Sequence, residues 1–203
     1  MRKVALITDG WRRLFTYAWP AGILQRIRET GEDVNLYIFN STGNWSRDAG
    51  YNRAEYNIYN LPELSDFDGI ILELNNISSP AVLADVISNA KRSGRPVVSI
   101  ANELGDFYYV GIDNYSAMKQ VIAHLHEVHD CKKFWLLVGA QDNYESSCRL
   151  QGMLDYAKEH KIKIDKDDIW YGSFDYKSGL EGYKHLWDRH KELPDAVICI
   201  NDN

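Results

Sequence analysis

Polar side chains follow several strand-like apolar segments of this 203-residue chain. In open α/β sheets, ligands bind beyond the carboxyl ends of the strands. The residues at these ends carry carboxylate, amide and guanidinium groups, which can hydrogen-bond a polar small molecule. They are Asp9 to Arg13, Asn40, Asn75 and Asn76, Ala101 and Asn102, Gln141 to Arg149, and Asn201 and Asp202. We therefore expect a ligand-binding site built from the ends of several strands.

Catalytic motifs are not evident in the sequence. The first strand-like segment is followed by Thr8-Asp9-Gly10-Trp11, which is not a glycine-rich phosphate loop. Asp9 and Glu73 resemble part of the acidic cluster of a phospho-receiver, but the lysine and the further acid that this chemistry needs are not evident. No combination of Ser, His and Asp has motif support. We therefore predict that the chain is not an enzyme and requires no cofactor.

Three histidines and a cysteine raise the question of a metal site. His124, His126, His129 and Cys131 lie within eight residues of one another. On a helix, however, His124 and His126 point roughly 200° apart, so only His126 and His129 are expected to share a face. We therefore predict a solvated helix end and no metal site.

The segments that must position these residues alternate along the chain between strand-like apolar runs and helical periodicity. Short apolar runs have the near-continuous hydrophobicity of strands that are buried on both faces of a parallel sheet. They cover residues 4–8, 34–39, 69–74, 96–100, 134–138 and 196–201, with a weaker run at 108–112. Helical periodicity lies between them, as in the helix that Ser79 caps and Pro80 begins. This alternation predicts an α/β fold with doubly wound parallel sheets.

Three more helices and one irregular segment complete this outline. Asn114 is the expected cap of one helix, and helical spacing marks two others around residues 150–157 and 180–186. Residues 40–60 contain Asn-Ser-Thr-Gly-Asn and four aromatic residues without clear periodicity. They are interpreted as a long loop, and loops of that length in compact domains are often functional.

Composition narrows the class of protein. The formal net charge is −6 with acidic residues spread along the chain, so unaided binding to nucleic acid is not expected. No apolar run reaches the length of a bilayer span, and no signal peptide is evident. The three cysteines are far apart and odd in number, which favours reduced thiols in a cytoplasm. A secreted mature protein stays the alternative.

A series of short phrases occurs along the chain, and each is weak by itself. They are Phe67-Asp68-Gly69-Ile70-Ile71-Leu72, Arg95-Pro96-Val97-Val98-Ser99-Ile100, Val110-Gly111-Ile112-Asp113-Asn114, Phe134-Trp135-Leu136-Leu137-Val138-Gly139, Ser146-Ser147-Cys148-Arg149-Leu150-Gln151-Gly152 and Pro194-Asp195-Ala196-Val197-Ile198-Cys199-Ile200-Asn201-Asp202. In their order and spacing they resemble the sensor domain of lac-repressor-type regulators, which is similar to type I periplasmic binding proteins. The resemblance covers nearly the whole chain.

The resemblance implies two α/β lobes that close over a sugar, a nucleobase or a similar small polar ligand. The first lobe is expected at residues 1–111 and the second at 112–203. The family continues beyond the Asn-Asp step, so the second lobe is expected to be incomplete at Asn203. Family repressors carry an N-terminal helix-turn-helix, and none precedes Val4.

The resemblance also implies that Arg149, three residues before Gly152, reaches the bound ligand. A guanidinium at the start of a helix suits planar, bidentate recognition of hydroxyl, carbonyl or carboxylate groups. The alternative is an arginine in a surface ion pair. The other residues that align with the family's ligand or first-helix positions are Asp9, Phe15, Asp113, Phe174 and Asn201.

Two of these assignments have structural alternatives of equal weight. Phe174 could stack on a sugar face, or it could be a core aromatic residue after a strand. Asp113 could contact the ligand, or it could cap a helix or support the hinge. The usual Asp of the family after the Pro-Val-Val strand is Ala101 here, so that contact is lost or moves to Asn102.

The first helix departs from the family pattern as well. Pro20 lies within its apolar spacing, so the helix is expected to start near Trp19. Residues 10–18 would then form an extended loop in which Trp11, Arg12 and Phe15 grip an anionic or aromatic ligand. A contact between subunits is the alternative role for this loop.

The function expected from these features is that of a cytoplasmic, homodimeric sensor domain. Binding of a small polar ligand, sugar-like in the family, would close the lobes and shift the equilibrium of an output module. That module would regulate transcription or be a C-terminal signalling domain such as a diguanylate cyclase. The alternatives are a solute-binding protein of a transport system and an enzyme on a doubly wound fold. No direct contact with nucleic acid or membrane is expected.

Overall fold

The structure is a computed structural model that describes residues 1–10, 14–42, 48–75, 77, 79–141 and 143–201. Trp11 and Arg12 therefore lie outside the described residues, and Phe15 is described by its backbone only. The chain divides into two compact units, Met1–Gly111 and Ile112–Asn203. That these units act as two lobes around one ligand stays a prediction.

The first unit is built on a sheet of five parallel strands. These are β1 (Arg2–Asp9), β2 (Val34–Ser41), β3 (Gly69–Glu73), β4 (Val97–Ile100) and β5 (Tyr108–Val110), in the order β2-β1-β3-β4-β5. The central strand β1 is apolar because both of its faces are covered, as shown by the burial of Ala5, Leu6 and Ile7. The chain winds from β1 to β2 in one direction and from β1 towards β5 in the other. The strand order therefore reverses at β1, where ligands of such sheets bind.

Helices and 3₁₀-helical turns complete the first unit. They are α1 (Leu14–Thr30), α2 (Ala49–Glu55), the 3₁₀ turns Tyr56–Asn60 and Leu64–Asp66, and α3 (Pro80–Arg92). Helix α3 begins as expected, because the Ser79 side chain accepts a hydrogen bond from the backbone N–H of Val82 and Pro80 is the first helical residue. Val86 and Ala90 of α3 pack into the core beneath the sheet.

The second unit has a smaller parallel sheet. Its strands are β6 (Phe134–Val138), β7 (Ile169–Tyr171) and β8 (Ala196–Cys199), in the order β7-β6-β8. Its helices are α4 (Asn114–His129), α5 (Tyr144–Glu159) and α6 (Tyr176–His190), with a 3₁₀ turn at Lys166–Asp168. Ile122, Leu136 and Met153 are fully buried where α4 and α5 pack against the central strand. Two doubly wound parallel sheets confirm the predicted fold class.

Several expectations about individual elements were wrong. Helix α1 begins at Leu14, not near Trp19, and continues through Pro20. Proline removes one backbone hydrogen bond from a helix, and Pro20 is buried, so we attribute the continuity of α1 to packing at this position. Residues 49–60 are helical or 3₁₀-helical and not a loop. Strand β7 had no expected counterpart, because its three residues are too few to show a periodicity.

The cap of α4 also differs from the expectation. Asp113, not Asn114, is the N-cap, and its side chain accepts a hydrogen bond of 2.9 Å from the backbone N–H of Ser116. This bond lowers the pKa of Asp113 because it stabilises the carboxylate. In the structure, Asp113 therefore caps helix α4, which was one of its two expected roles. No helix among the described residues is long and apolar enough to cross a membrane.

Candidate functional site

The carboxyl edge of the sheet in the first unit is polar and buried. Asp9 lies beside Ser41 in the pairing of β1 with β2, and Thr8 lies beside Glu73 in the pairing of β1 with β3. All four residues are buried, and Asp9 has no exposed surface. The Thr8 hydroxyl donates a hydrogen bond of 2.7 Å to Oε2 of Glu73. The strand pairing thus gathers two carboxyl groups and two hydroxyl groups at one edge.

The 3₁₀ turn Tyr56–Asn60 contributes a tyrosine to the same edge. The Tyr59 hydroxyl donates a hydrogen bond of 2.9 Å to the backbone carbonyl of Thr8. Burial and the proximity of Asp9 raise the pKa of Tyr59 well above its usual value, so the phenol stays a neutral donor. The segment that sequence reasoning interpreted as a loop therefore contributes a buried side chain to the candidate site. The aromatic residues of this segment were the one feature of the sequence that could have indicated this buried role.

Asn75 and Asn102 follow β3 and β4 at this edge, as expected, and both are half-buried. The backbone carbonyl of Asn102 accepts a hydrogen bond from the Ser99 hydroxyl. Ala101 has a left-handed backbone with φ of 65°, which is unfavourable for a residue with a side chain. This turn redirects the chain directly after β4 and exposes the Asn102 side chain in part.

Arg149 is the centre of the candidate site in the second unit. From α5, its Nε donates a hydrogen bond of 2.7 Å to Oδ1 of Asn114, and its Nη1 donates one of 2.9 Å to the backbone carbonyl of Ile200. These partners are an amide and a carbonyl, not the carboxylate of the surface ion pair that was the alternative. They occupy two of the five N–H donors of the guanidinium. The side chain is thereby held at the end of β8 with further donors on the same group.

Asn114 holds Arg149 and is itself fixed by other groups. It is 5% exposed, and its amide nitrogen donates to the carbonyl of Ile112 at 3.4 Å and to Oε1 of Glu145 at 3.3 Å. A buried amide with its donors and acceptor engaged keeps one orientation. Sequence reasoning missed this residue as part of the site, although the Asp-Asn step at the start of a helix was a usable signal.

Phe174 and Asn201 meet at the same edge of the second sheet. The Asn201 amide donates a hydrogen bond of 3.3 Å to the backbone carbonyl of Phe174, which has a left-handed φ of 62°. The Phe174 ring packs on Gly139, directly after β6, where a Cβ atom would overlap the ring. The ring is partly buried against the core of the unit, so the core interpretation of Phe174 is at least partly correct. Arg149, Phe174 and Asn201 are brought together; Asp113 caps α4 instead.

The histidines of α4 are not arranged as expected. His124 and His129, which were not expected to share a face, approach to 3.2 Å between their Nε2 atoms. His126 instead lies 3.1 Å from the hydroxyl of Tyr156, which donates a hydrogen bond to Glu127. Burial, together with Glu127, raises the pKa of Tyr156 to about 12. Among the described residues, no three or more His, Cys, Asp or Glu side chains form a group that could hold a metal ion.

Comparison with proteins of known sequence points to regulators. No family model matches the chain. Catabolite control protein A of Staphylococcus epidermidis is 29% identical over 150 residues, and that of Staphylococcus xylosus is 31% identical over 149 residues. Each match covers 73% of this chain and 43% of the relative. The matched region is thus less than half the length of these curated relatives.

Solved structures share the fold. A sugar-binding LacI-family transcriptional regulator from Escherichia coli, complexed with phosphate, has a TM-score of 0.72 at 19% identity and covers 97% of this chain and 67% of its own. The complex of the regulator CelR with cellobiose has a TM-score of 0.68 at 24% identity, covering 97% of this chain and 58% of its own.

Periplasmic proteins share this fold as well. A periplasmic solute-binding protein of Actinobacillus succinogenes with bound D-allose has a TM-score of 0.74 at 15% identity, covering 100% of this chain and 70% of its own. The fold is therefore that of LacI-family regulators and of type I periplasmic binding proteins. The resemblance found in the sequence is confirmed.

Proposed function

We propose that this chain is the ligand-sensing part of a lac-repressor-type regulator and that it binds a sugar or a similar polar molecule. The observation that carries the proposal is the position of Arg149 at the carboxyl edge of the second sheet. Asn114 and the Ile200 carbonyl fix its guanidinium there. A fixed guanidinium can donate to ligand hydroxyl groups with little further loss of side-chain entropy.

The proposed binding residues lie at strand ends in both units. In the second unit, Arg149, Phe174 and Asn201 supply a guanidinium, an aromatic ring and an amide. In the first unit, Asp9, Asn75 and Asn102 supply carboxylate and amide groups, which suit the hydroxyl groups of a sugar. The remaining proposed residues, which lie outside the described side chains, are Trp11, Arg12 and Phe15.

We further propose that the two units act as lobes that bind the ligand jointly. Closure on the ligand would shift the equilibrium of an attached output module, and the regulator would act as a homodimer. The catabolite control proteins and CelR are regulators, which supports this class over an enzyme. The phosphate, cellobiose and D-allose complexes support a small polar ligand.

Calorimetric titration with neutral mono- and disaccharides, including cellobiose and D-allose, tests the proposal. At least one sugar should bind with a dissociation constant below about 1 mM. Arg149→Ala should weaken that binding on the order of 10- to 100-fold, because charge-assisted hydrogen bonds are lost. The matched control is Arg189→Ala in α6, an exposed arginine paired with Asp167, which should leave affinity unchanged. Equal affinity in Arg149→Ala would remove that residue from the site.

A second candidate function is that of a solute-binding protein for transport. The similarity to the D-allose-binding periplasmic protein, which extends over the whole chain, favours it. Both functions require sugar binding, so the titration does not separate them. Operator DNA binding by the full-length protein does: a regulator should change its DNA affinity when the sugar is added, whereas a transport protein should bind no specific DNA.

A further inference from the structure

Two histidines meet at the carboxyl end of α4 in the second unit. The Nε2 atoms of His124 and His129 are 3.2 Å apart. The ring centroids are 4.9 Å apart and the ring planes make an angle of 75°, so the two rings are nearly perpendicular to each other. Both side chains are exposed to solvent.

We propose that His124 and His129 together bind one late first-row transition-metal ion, with Zn²⁺ as the probe. Zinc binds imidazole nitrogen at about 2.0–2.1 Å, and tetrahedral geometry then separates two such nitrogens by about 3.4 Å. The observed 3.2 Å is close to this separation. Imidazole is a preferred ligand of zinc, copper and nickel, whereas magnesium and calcium prefer oxygen.

The local charge also favours a cation. His129 is the last residue of α4, and the carboxyl end of a helix carries a partial negative charge. The next residue, Asp130, adds a carboxylate, although Lys132 pairs with it at 2.9 Å. Because both imidazoles are exposed, water can complete the coordination of the ion. The proposed site is thus a chelate of two histidine side chains.

His126 does not belong to this site. Its Nδ1 atom faces the hydroxyl of Tyr156, and its ring lies against that of His160. The competing explanation for the contact of His124 with His129 is a hydrogen bond in which one ring donates and the other accepts. That explanation predicts no affinity for metal, so metal binding separates the two. The proposal does not depend on sugar binding.

The experiment is calorimetric titration of the untagged protein with Zn²⁺, using Cys199→Ser as the parent because Cys199 is an exposed thiol. The parent should bind one Zn²⁺, and Mg²⁺ should give no binding. His124→Ala and His129→Ala should each weaken Zn²⁺ binding by at least about tenfold. His185→Ala, an exposed histidine of α6 that contacts Trp170, is the matched control and should leave Zn²⁺ binding unchanged.

Circular dichroism melts of each variant without metal test whether it is folded. His124→Gln provides a second test that retains a polar side chain, and it too should lose Zn²⁺ binding. Absence of Zn²⁺ binding by the parent would overturn the proposal, and so would equal affinity in the folded His124 and His129 variants. Either result would identify the contact as a hydrogen bond only.

Discussion

Helices α4 and α5 approach each other closely at Gly152, and a substitution there tests how tightly the second unit is packed. A Cβ atom at Gly152 would overlap the carbonyl oxygen of Tyr115. It would also lie 3.1 Å from the carbonyl carbon of Tyr115 and 3.3 Å from the backbone nitrogen of Lys119. These atoms belong to the backbone of α4, so a rotamer change cannot relieve the overlap. Gly152→Ala therefore requires one helix to move.

The expected magnitude is the difference of two opposing effects. Alanine is a better helix former than glycine by about 0.8–1 kcal/mol, which stabilises the variant. Overpacking of a close-packed interior costs about 1–3 kcal/mol, and contact with backbone favours the upper end of that range. The net prediction is that Gly152→Ala lowers the free energy of unfolding by about 2 kcal/mol. Because Arg149 is one turn away on α5, its hydrogen bonds should be disturbed as well.

Urea unfolding followed by circular dichroism measures the change. Gly179→Ala in α6 is the matched control, because, apart from its chain neighbours and the backbone of its own helix, no heavy atom of the described residues lies within 4 Å of the added Cβ. It should raise the free energy of unfolding by up to about 1 kcal/mol, from the helix preference alone. If Gly152→Ala were as stable as Gly179→Ala, the close approach of α4 and α5 would be wrong.

Two further predictions concern a buried hydroxyl group and a carboxylate that accepts backbone hydrogen bonds. Thr8→Val removes the hydroxyl that donates to Glu73 while keeping its shape, so it should cost about 1–3 kcal/mol in urea unfolding; an unchanged midpoint would contradict the bond. Asp195 accepts hydrogen bonds of 2.8 Å from the backbone N–H groups of Lys132 and Lys133, which lower its pKa. A lowered folded-state pKa gives stability that is present above the unfolded value of about 3.9 and is lost as pH falls through the folded value. Asp195→Asn should therefore be less stable than the parent at neutral pH, and thermal melts should converge as pH falls below about 4; a difference that is constant with pH would contradict this.

The sequence by itself determined the class of fold, and it predicted the polar strand ends that we propose bind the ligand. Apolar runs that are buried on both faces, separated by helical periodicity, are local patterns that identify parallel strands and their connections. The start of helix α3 could also be predicted, because the residues that form it, Ser79 as the cap and Pro80 as the first helical residue, are adjacent in the sequence. Arg149 and Asn201 were expected at the edge of the second sheet, and the structure brings both to it.

Only the tertiary structure decided how these residues are held. Asn114 and Arg149 are 35 positions apart, and Tyr59 is 51 positions from the Thr8 carbonyl that it contacts, so no local pattern links them. Helix α1 also continues through the buried Pro20, although proline disfavours the interior of a helix. Periodicity reports which face of an element is buried. Which side chains meet across that face depends on the register of the strands and the close approach of the helices, which form only when distant segments pack together.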